Sequence, residues 1–495
     1  MATFYSITDP KTASSVVAHV GSLDITAREF LLSYEFGPAF PKREHDSRKV
    51  YLEFMTYEKL LALDGYARGL DRLPQVREAL AEIGADLMTE ELFRDDVLPG
   101  DHVTDAEVEQ GAQQGLVSLS LRWLYAPGSG EIIRLQRLLK SGVSFDSLYR
   151  TQQPDSAAAE RSLETTRFKL RQANPAIAGM VDTLRAGIPS APVKGPDGWY
   201  VVQLDNAARE MVPTETQITT LRYDVRRALY QEKADSLSDV YVKRLMMARK
   251  PVIIRTTFNA LAELLGRRLL TPASYDEWGL AKYRQGGDPP RSDTLVTMQG
   301  RKPLFVDDFT RWYRARETAI RFVRTSARAY FSSLEEFIWR MVRDRMLTER
   351  AVGRHEEKKE SVTAQKRWWE EKILYNLTRS AIAESIAVSD SALQLFYKEN
   401  RRLYVTAPGD TLTYEKAKEE VRKDVFDKEF TSRLLHRILA LKRRYPVTTD
   451  TEFLRTLPVS SENDPKAIDV YTVRRGGILP RPAFPSIDYD WQAWR

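Results

Sequence analysis

The feature that most limits how this chain can fold is a sequence pattern that occurs twice. In residues 18–34, "AHVGSLDITAREFLLSY", a strand-like run is followed by a glycine and then by an apolar helical stripe. The segment "TMQGRKPLFVDDFTRWY" repeats this pattern, and three of its residues follow their counterparts by 279 residues: Gly300 after Gly21, Phe309 after Phe30 and Tyr313 after Tyr34. Because the three anchors share one offset, we expect two copies of one domain.

Later parallels predict that the second copy is shorter than the first. "AVSDSALQLFYKEN" parallels "HVTDAEVEQGAQQ" through Asp390 and Asp105, and "KRRYPVTTDTEFLRTL" parallels "MARKPVIIRTTFNALAEL" through Pro446 and Pro251. Asp105 and Pro251 are 146 residues apart, whereas Asp390 and Pro446 are 56 apart, a difference of 90. We therefore predict that residues 117–205, which have about this length, are an insertion in the first copy.

Apolar spacing predicts helices around the insertion. The first run places Leu52, Met55, Leu60 and Leu63 near one helix face, and the second places Val76, Leu80, Ile83 and Leu87 at spacings of three and four. Thr26 with Glu29, and Thr104 with Glu107, have the spacing of a capping box, in which each side chain satisfies a free amide of the first turn. Two long mixed-charge stretches, 216–250 and 413–444, are predicted to be returning helices that each cover their own lobe.

Composition excludes several kinds of chemistry. The 495 residues include no cysteine, which excludes disulfides and thiolate metal sites and suits an oxidising compartment. Lys and Arg number 75 against 69 Asp and Glu, too even a balance to indicate nucleic acid. The five histidines show no metal-ligand spacing, and no cofactor is predicted.

No transmembrane segment is predicted, because no window approaches the roughly 18 apolar residues that a membrane span requires. The first residues, "MATFYSITDPKTASS", lack the apolar core of a signal peptide. Either the protein is cytosolic, or a leader has been removed.

Residues 117–205 have an order of elements of their own. A strand, "VSLSLRWLYA", precedes three helices, "GEIIRLQRLLKSG", "SFDSLYRTQ" and "NPAIAGMVDTLRAGIPS", and these precede the paired strands "APVKG" and "GWYVVQL". Gly198 after Asp197 is predicted to supply the positive backbone dihedral of a two-residue hairpin. The segment therefore reads as a small α/β module.

Together, "VAHVGSLDITAREF", "EKLLALDGYARGLD" and "VTDAEVEQ" resemble the N-terminal helical domain of SurA-like, PpiD-like and PrsA-like exported chaperones. "LRAGIPSAPVKGPDGWYVVQL" resembles the end of the parvulin-type peptidyl-prolyl isomerase module that such proteins carry. The resemblance covers roughly residues 16–265. It implies an α+β, predominantly α-helical fold with two SurA-like helical chaperone lobes, the first of which carries the parvulin-like α/β module.

The expected domain boundaries follow from the resemblance and the repeat. They are 16–116 with 206–265 for the first lobe, 117–205 for the module, 266–294 for a linker, 295–457 for the second lobe without an insert, and 458–495 for the tail. The tail is rich in proline and aromatic residues and lacks periodicity. It is predicted to be either an extended segment that docks or a disordered end.

The resemblance also implies where a site would lie. Parvulins carry a histidine in an Arg-His-Ile-Leu type motif and another in a Gly-Trp-His type motif, and these places hold Trp123 and Tyr200 here. The segment "PDSAAAERSLETTRFKLRQ" also lacks the Gly-rich "GDLG" run. No catalytic residue is therefore predicted, and the candidate polypeptide-binding residues are Trp123, Phe145, Met180, Trp199 and Tyr200.

What the resemblance implies about function is an ATP-independent folding chaperone of the periplasm or cell envelope, with a non-catalytic isomerase module. Its expected partners are unfolded, nascent or outer-membrane-bound polypeptides, with envelope proteins reached through the tail and no nucleic acid. Two alternatives stay open: an active prolyl isomerase, and a structural subunit of an envelope assembly. "QKRWWEEKILYN" mixes basic and aromatic residues as single-strand nucleic-acid binders do, but its acidic neighbours favour core or client contact for Trp368 and Trp369.

Overall fold

The computed structural model describes residues 10–97, 103–152, 161–195, 198–284, 288–407, 410–459, 482 and 484–494. The chain divides into two compact units, a larger one formed by residues 1–97 with 238–495 and a smaller one formed by residues 98–237. Helices dominate the larger unit, and the smaller unit contains a four-stranded sheet with helices. The fold class is therefore α+β and mainly helical, as predicted.

Near the start of the described residues of the larger unit, a hairpin leads into helices. The unit's first elements are α1 (Pro10–Ser14), β1 (Val16–Val20), β2 (Leu23–Thr26), α2 (Ala27–Phe36), α3 (Ser47–Ala67) and α4 (Pro74–Asp96). Gly21 forms the turn between β1 and β2 with a φ of 59°, which favours glycine. A Cβ atom there would also lie 3.0 Å from the side chain of Leu63. The glycine thus permits both the turn and the close approach of α3.

The smaller unit contains the predicted strand and helices of the module. Its elements are α5 (Asp105–Gly115), β3 (Val117–Ala126), α6 (Ser129–Lys140), α7 (Phe145–Gln152), β4 (Ser162–Thr166), α8 (Arg167–Ala173), α9 (Pro175–Val181), β5 (Val193–Lys194), β6 (Trp199–Arg209) and the first part of α10 (Glu215–Arg249). The sheet is antiparallel in the order β4-β3-β6-β5. Sequence reasoning missed β4 and α8, which lie in the segment that lacks the Gly-rich run.

The rest of the larger unit follows α10 in the chain. Its elements are β7 (Val252–Ile253), α11 (Arg255–Leu269), α12 (Pro272–Glu277), β8 (Thr294–Thr297), β9 (Leu304–Phe305), α13 (Val306–Arg314), α14 (Ala327–Gly353), α15 (Glu360–Glu384), α16 (Asp390–Glu399), β10 (Val405–Ala407), β11 (Asp410–Thr411), α17 (Tyr414–Arg444), β12 (Val447–Thr449) and α18 (Thr451–Thr456). Part of the predicted linker is packed structure, because it contains α12 and the fully buried Leu280.

Strand pairing in the larger unit joins the beginning of the chain to its end. β12 pairs with β1, and the backbone N–H of Gly21 donates to the carbonyl of Pro446 at 2.8 Å. In the other three-stranded sheet β7 pairs with β8, and the N–H of Gln299 donates to the carbonyl of Arg249 at 2.8 Å. Each glycine hairpin is therefore completed by a strand from the other predicted copy: β12 of the second copy pairs with β1, and β7 of the first copy pairs with β8.

The long helix α17 also packs on elements from the N-terminal part of the chain. Its residues Leu434, Ile438 and Leu441 are buried in the core formed by β1, β2, α2 and α3. The N-terminal part of α17 instead shares a core with α16, so the prediction that each returning helix covers its own lobe holds only for that part of α17. An apolar stripe specifies that a helix is buried, but it does not specify the partner.

The helices of the two halves also share cores. α3 packs against α15, and α4 packs against both α14 and α15. The predicted apolar face of α4 lies against Val362 and Trp369 of α15, and Trp368 is also buried. Both tryptophans are core residues, as favoured by the sequence. Among the described residues no helix is long and apolar enough to cross a membrane.

Candidate functional site

The sheet of the smaller unit has two apolar faces, and these determine which candidate residues can act together. Successive side chains of a strand point to opposite faces. On β3, Leu119 and Leu121 belong to a core with α8 and α9, whereas Leu124 and Ala126 belong to a core with α6 and α7. Each face therefore has a core of its own.

Three of the five candidate residues lie on the face that α8 and α9 cover. Trp123, Met180 and Tyr200 are each partly buried against this core. Tyr125 pairs with Tyr200 across the strands, and their ring centroids are 5.4 Å apart at an interplanar angle of 58°. We call Trp123, Tyr125, Met180 and Tyr200 the aromatic face.

The other two candidates, Phe145 and Trp199, lie on the opposite side of the sheet. Phe145 is buried in the core formed with α6 and α7, and Trp199 packs against that core. The sheet therefore separates them from the aromatic face. The structure does not bring the five predicted residues into one site.

A polar cluster sits beside Phe145. The guanidinium of Arg122 donates to both carboxylate oxygens of Asp205, at 2.5 and 2.9 Å, and to Asp146 at 2.7 Å. It also lies 5.2 Å from the ring centre of Tyr149. The hydrogen bonds from Arg122 lower the pKa of Asp205 below its ordinary value. Asp205 is thus held ionised, which suits a structural anchor better than a proton donor.

Gln152 and Arg161 support one end of the aromatic face. The N–H of Tyr125 donates to Gln152 Oε1 at 3.1 Å, and Gln152 Nε2 donates to the Tyr125 carbonyl at 3.0 Å. Arg161 donates to the same Oε1 at 2.6 Å and lies 5.8 Å from the Tyr125 ring centre. Sequence reasoning missed these residues, because nothing local indicates that they meet Tyr125.

The turn between β5 and β6 brings two glycines against the tyrosine rings. The register pairs Lys194 with Trp199, and the N–H of Gly195 donates to the carbonyl of Gly198 at 2.8 Å. Gly195 and Gly198 thus face each other across the turn, and residues 196 and 197 lie outside the described residues, so the positive backbone dihedral at Gly198 stays a prediction. A Cβ there would lie 2.5 Å from the ring of Tyr125, so glycine is needed for packing.

The chemistry open to the aromatic face is apolar and aromatic contact, with a guanidinium at one end. Residues 117–205 contain no histidine, so no imidazole of the module can polarise a prolyl amide. Within the described ranges no three His, Cys, Asp or Glu side chains are grouped so that they could hold a metal ion. That the aromatic face binds polypeptide remains a prediction.

Comparison with known proteins gives matches only among solved structures. No family model matches the chain, and no curated protein matches it. The similar structures include the peptidylprolyl isomerase PrsA of Bacillus anthracis, at 14% identity over 38% of this chain and 96% of that chain, with a TM-score of 0.23. Foldase protein PrsA of Streptococcus pneumoniae is 12% identical over 46% and 91%, with a TM-score of 0.22. PrsA of Bacillus subtilis is 18% identical over 46% and 93%, with a TM-score of 0.17.

The similar structures are thus PrsA isomerases and foldases. The identities and TM-scores are low, so the function of this chain has to be argued from its own residues.

Proposed function

We propose that this protein is an ATP-independent chaperone that binds apolar segments of unfolded polypeptides on the aromatic face. The observation that carries the proposal is the arrangement of Trp123, Tyr125, Met180 and Tyr200, which are partly exposed on one side of one sheet. Partly exposed aromatic rings offer a large contact area at low cost in conformational entropy. Contacts of this kind tolerate many client sequences.

The module is proposed to be non-catalytic. Rotation about a prolyl bond has a barrier of about 18–20 kcal/mol, and lowering it requires stabilisation of the twisted amide. Trp123 and Tyr200 occupy the places of the two parvulin histidines, and Tyr200 packs against the ring of Tyr125. Aromatic packing at these places supports binding without catalysis.

The remaining parts of the proposal rest on the resemblance and the repeat. We propose a duplicated chaperone domain in which 117–205 is the insert of the first copy, and a periplasmic or envelope location with outer-membrane-bound polypeptides as clients. Gly21 and Gly300 both have positive φ and both precede a short strand and a helix, which supports the duplication. In the first copy α10 follows the module, whereas in the second copy the corresponding helix α17 follows only the short hairpin β10-β11.

The test is suppression of the aggregation of a denatured client without ATP. Trp123→Thr and Tyr200→Thr keep the β-propensity of the strands while removing the rings, and each is expected to reduce suppression several-fold. Met211→Thr is the matched control, because Met211 is 80% exposed, belongs to the same unit and lies outside the aromatic face. Equal suppression by all three folded variants would refute the proposed site.

A protease-coupled assay on an Xaa-Pro peptide tests the non-catalytic assignment. The unaltered protein is expected to leave the isomerisation rate close to its uncatalysed value. Strong acceleration that Tyr200→Thr abolishes would identify an active isomerase instead. Recovery of the protein in a permanent complex of fixed stoichiometry would instead favour the alternative that it is a structural subunit of an envelope assembly.

A further inference from the structure

Residues 484–494, which we call the strap, lie in a groove of the larger unit. Phe484, Ile487 and Trp491 are buried. The rings of Phe484, Tyr489 and Trp491 contact aromatic residues of α2, α3, α15 and the turn between α2 and α3. We call these neighbours the strap groove: Phe36, Phe40, Phe54, Tyr57 and Tyr375. The Trp491 ring stacks on Phe54 with centroids 5.6 Å apart. The described end of the tail is thus docked on its own chain.

Side chains of the groove recognise the backbone of the strap. Glu58 accepts from the backbone N–H of Asp488 at 2.8 Å and from the indole N–H of Trp491 at 2.9 Å. A hydrogen bond also links the backbone of Ile487 to Tyr51. Among the described residues the strap adds no strand to a sheet. Detachment of the strap would therefore break no strand ladder of the larger unit.

The groove also matches the charges of the strap. Lys372 lies 2.8 Å from Asp488, and the hydroxyl of Tyr375 donates to Asp488 at 2.7 Å. Arg379 pairs with Asp490 and lies 3.9 Å from Asp488. Both cations are partly buried, so screening by solvent is reduced. Without the strap, Lys372 would still pair with Glu58, whereas Arg379 would lose both of its carboxylate partners.

Space beside the strap shows that it does not fill the groove. A cavity of about 260 Å³ adjoins Asp490 and Trp491 and is lined by α15 and α17, with Arg379, Phe430 and Leu434 among its residues. A smaller cavity of about 40 Å³ adjoins Pro485, Ser486 and Ile487. The larger cavity could take an additional side chain next to the position of Trp491. The groove thus accommodates more than the segment that occupies it.

We propose that the strap groove is a second polypeptide-binding site and that the strap is its tethered occupant. The ligand is a short segment that carries aromatic side chains with neighbouring carboxylates, because these are the groups that the groove contacts in the strap, which forms a 3-10 helix over Tyr489–Trp494. A tethered occupant has an effective concentration of the order of millimolar. A free polypeptide segment therefore displaces it only at high concentration or with higher affinity for the groove. This inference rests on the proposed function only for the ligand class, a polypeptide.

The experiment uses the full chain and a fluorescein-labelled peptide with the sequence of residues 482–495, followed by fluorescence anisotropy. Trp491→Ala combined with Asp490→Asn loosens the strap and is expected to bind the peptide at least ten-fold more tightly than the unaltered chain. Gln492→Ala is the matched control within the strap, because Gln492 is exposed, and it should behave like the unaltered chain. Adding Arg379→Glu to the loosened strap should reverse the gain.

Circular dichroism melts accompany the binding measurements. A loosened variant that keeps its cooperative melt but binds the peptide no more tightly overturns the proposal. A loosened variant that loses its cooperative melt also overturns it, because the strap is then a fixed part of the core. Client suppression that depends on the strap groove but not on Trp123 and Tyr200 would refute the aromatic face as the chaperone site while leaving this inference intact.

Discussion

At the scale of single residues, Glu29 is a buried carboxyl group whose ionisation affects the stability of the larger unit. The ammonium of Lys59 lies 2.6 Å from Glu29 and also pairs with Glu371, and all three side chains are buried. Burial, together with the nearby charge of Glu371, raises the pKa of Glu29 to about 7, although Lys59 opposes the rise. Two carboxylates sharing one cation leave Glu29 close to half-protonated at neutral pH.

The raised pKa predicts that the larger unit loses stability as pH rises from about 5 to about 7.5. Between the ordinary value of 4.5 and the folded value of about 7, the folded state holds a proton on Glu29 that the unfolded state has released. The free energy of unfolding therefore falls with rising pH, by up to about 3 kcal/mol at 1.36 kcal/mol for each pKa unit. Urea unfolding across this pH range measures the slope.

Glu29→Gln is expected to flatten this pH dependence, because its amide does not titrate. Glu78→Gln removes an exposed carboxylate of α4 and should leave the slope unchanged. An unaltered slope in Glu29→Gln would assign the titration to another group.

The turn next to the aromatic face gives a second residue-scale prediction. Gly198→Ala places a Cβ 2.5 Å from the Tyr125 ring and 2.7 Å from the carbonyl oxygen of Ala126, so we expect a loss of about 1–3 kcal/mol in the stability of the smaller unit. Gly179→Ala in α9 is the control, because a Cβ there meets nothing within 4 Å. The control should be neutral or gain up to about 1 kcal/mol. Thermal melts of equal midpoint for the two variants would contradict the packing role of Gly198.

At the scale of secondary-structure elements, the C-terminal part of α17 packs on a core from the N-terminal part of the chain. Ile438 is 1% exposed in the core formed with β1, α2 and α3, whereas its neighbour Leu439 is 45% exposed. Ile438→Ala is expected to destabilise the larger unit by about 2–4 kcal/mol, because it leaves a cavity in the core. Chemical denaturation followed by helical circular dichroism measures the change.

Leu439→Ala is the matched control on the same turn of α17 and should cost less than about 1 kcal/mol. A reversed order of the two effects would mean that α17 does not cover the N-terminal hairpin.

At the scale of the whole molecule, the N-terminal and C-terminal parts of the chain are structurally interdependent. β1 is completed by β12, β8 is completed by β7, and α3 and α4 pack against α14 and α15. Both three-stranded sheets therefore need strands from both parts of the chain, whereas the hairpin β10-β11 and the core that α16 shares with α17 lie within the C-terminal part alone.

This interdependence predicts that the two parts of the chain stay associated after the chain is cut between them. A specific protease site inserted between Gly286 and Gly287 should give two fragments on a denaturing gel that elute together at the size of the intact chain. The fragments stay associated because separation would expose the shared helical cores. Fragments that separate on a sizing column without denaturant would show that each half folds independently.

Local patterns in the sequence determined where helices begin and which side of them is buried. Thr104 and Glu107 form the predicted capping box, and the apolar runs of α3 and α4 are buried as their spacing indicated. At Thr26 only half of the predicted box forms. Thr26 accepts from the N–H of Glu29, but the Glu29 side chain pairs with Lys59 instead. A buried ion pair with a distant residue replaced the local hydrogen bond.

Only the tertiary structure decided which elements meet. An apolar stripe or an alternating strand pattern indicates that a surface is buried, but many partners could bury it equally well. Contacts between residues distant in the chain decide three features of this fold. They are the pairing of β1 with β12, the stacking of Trp491 on Phe54 and the placement of Phe145 and Trp123 on opposite faces of one sheet. Sequence periodicity is local, whereas the free energy that selects among partners comes from packing the whole core at once.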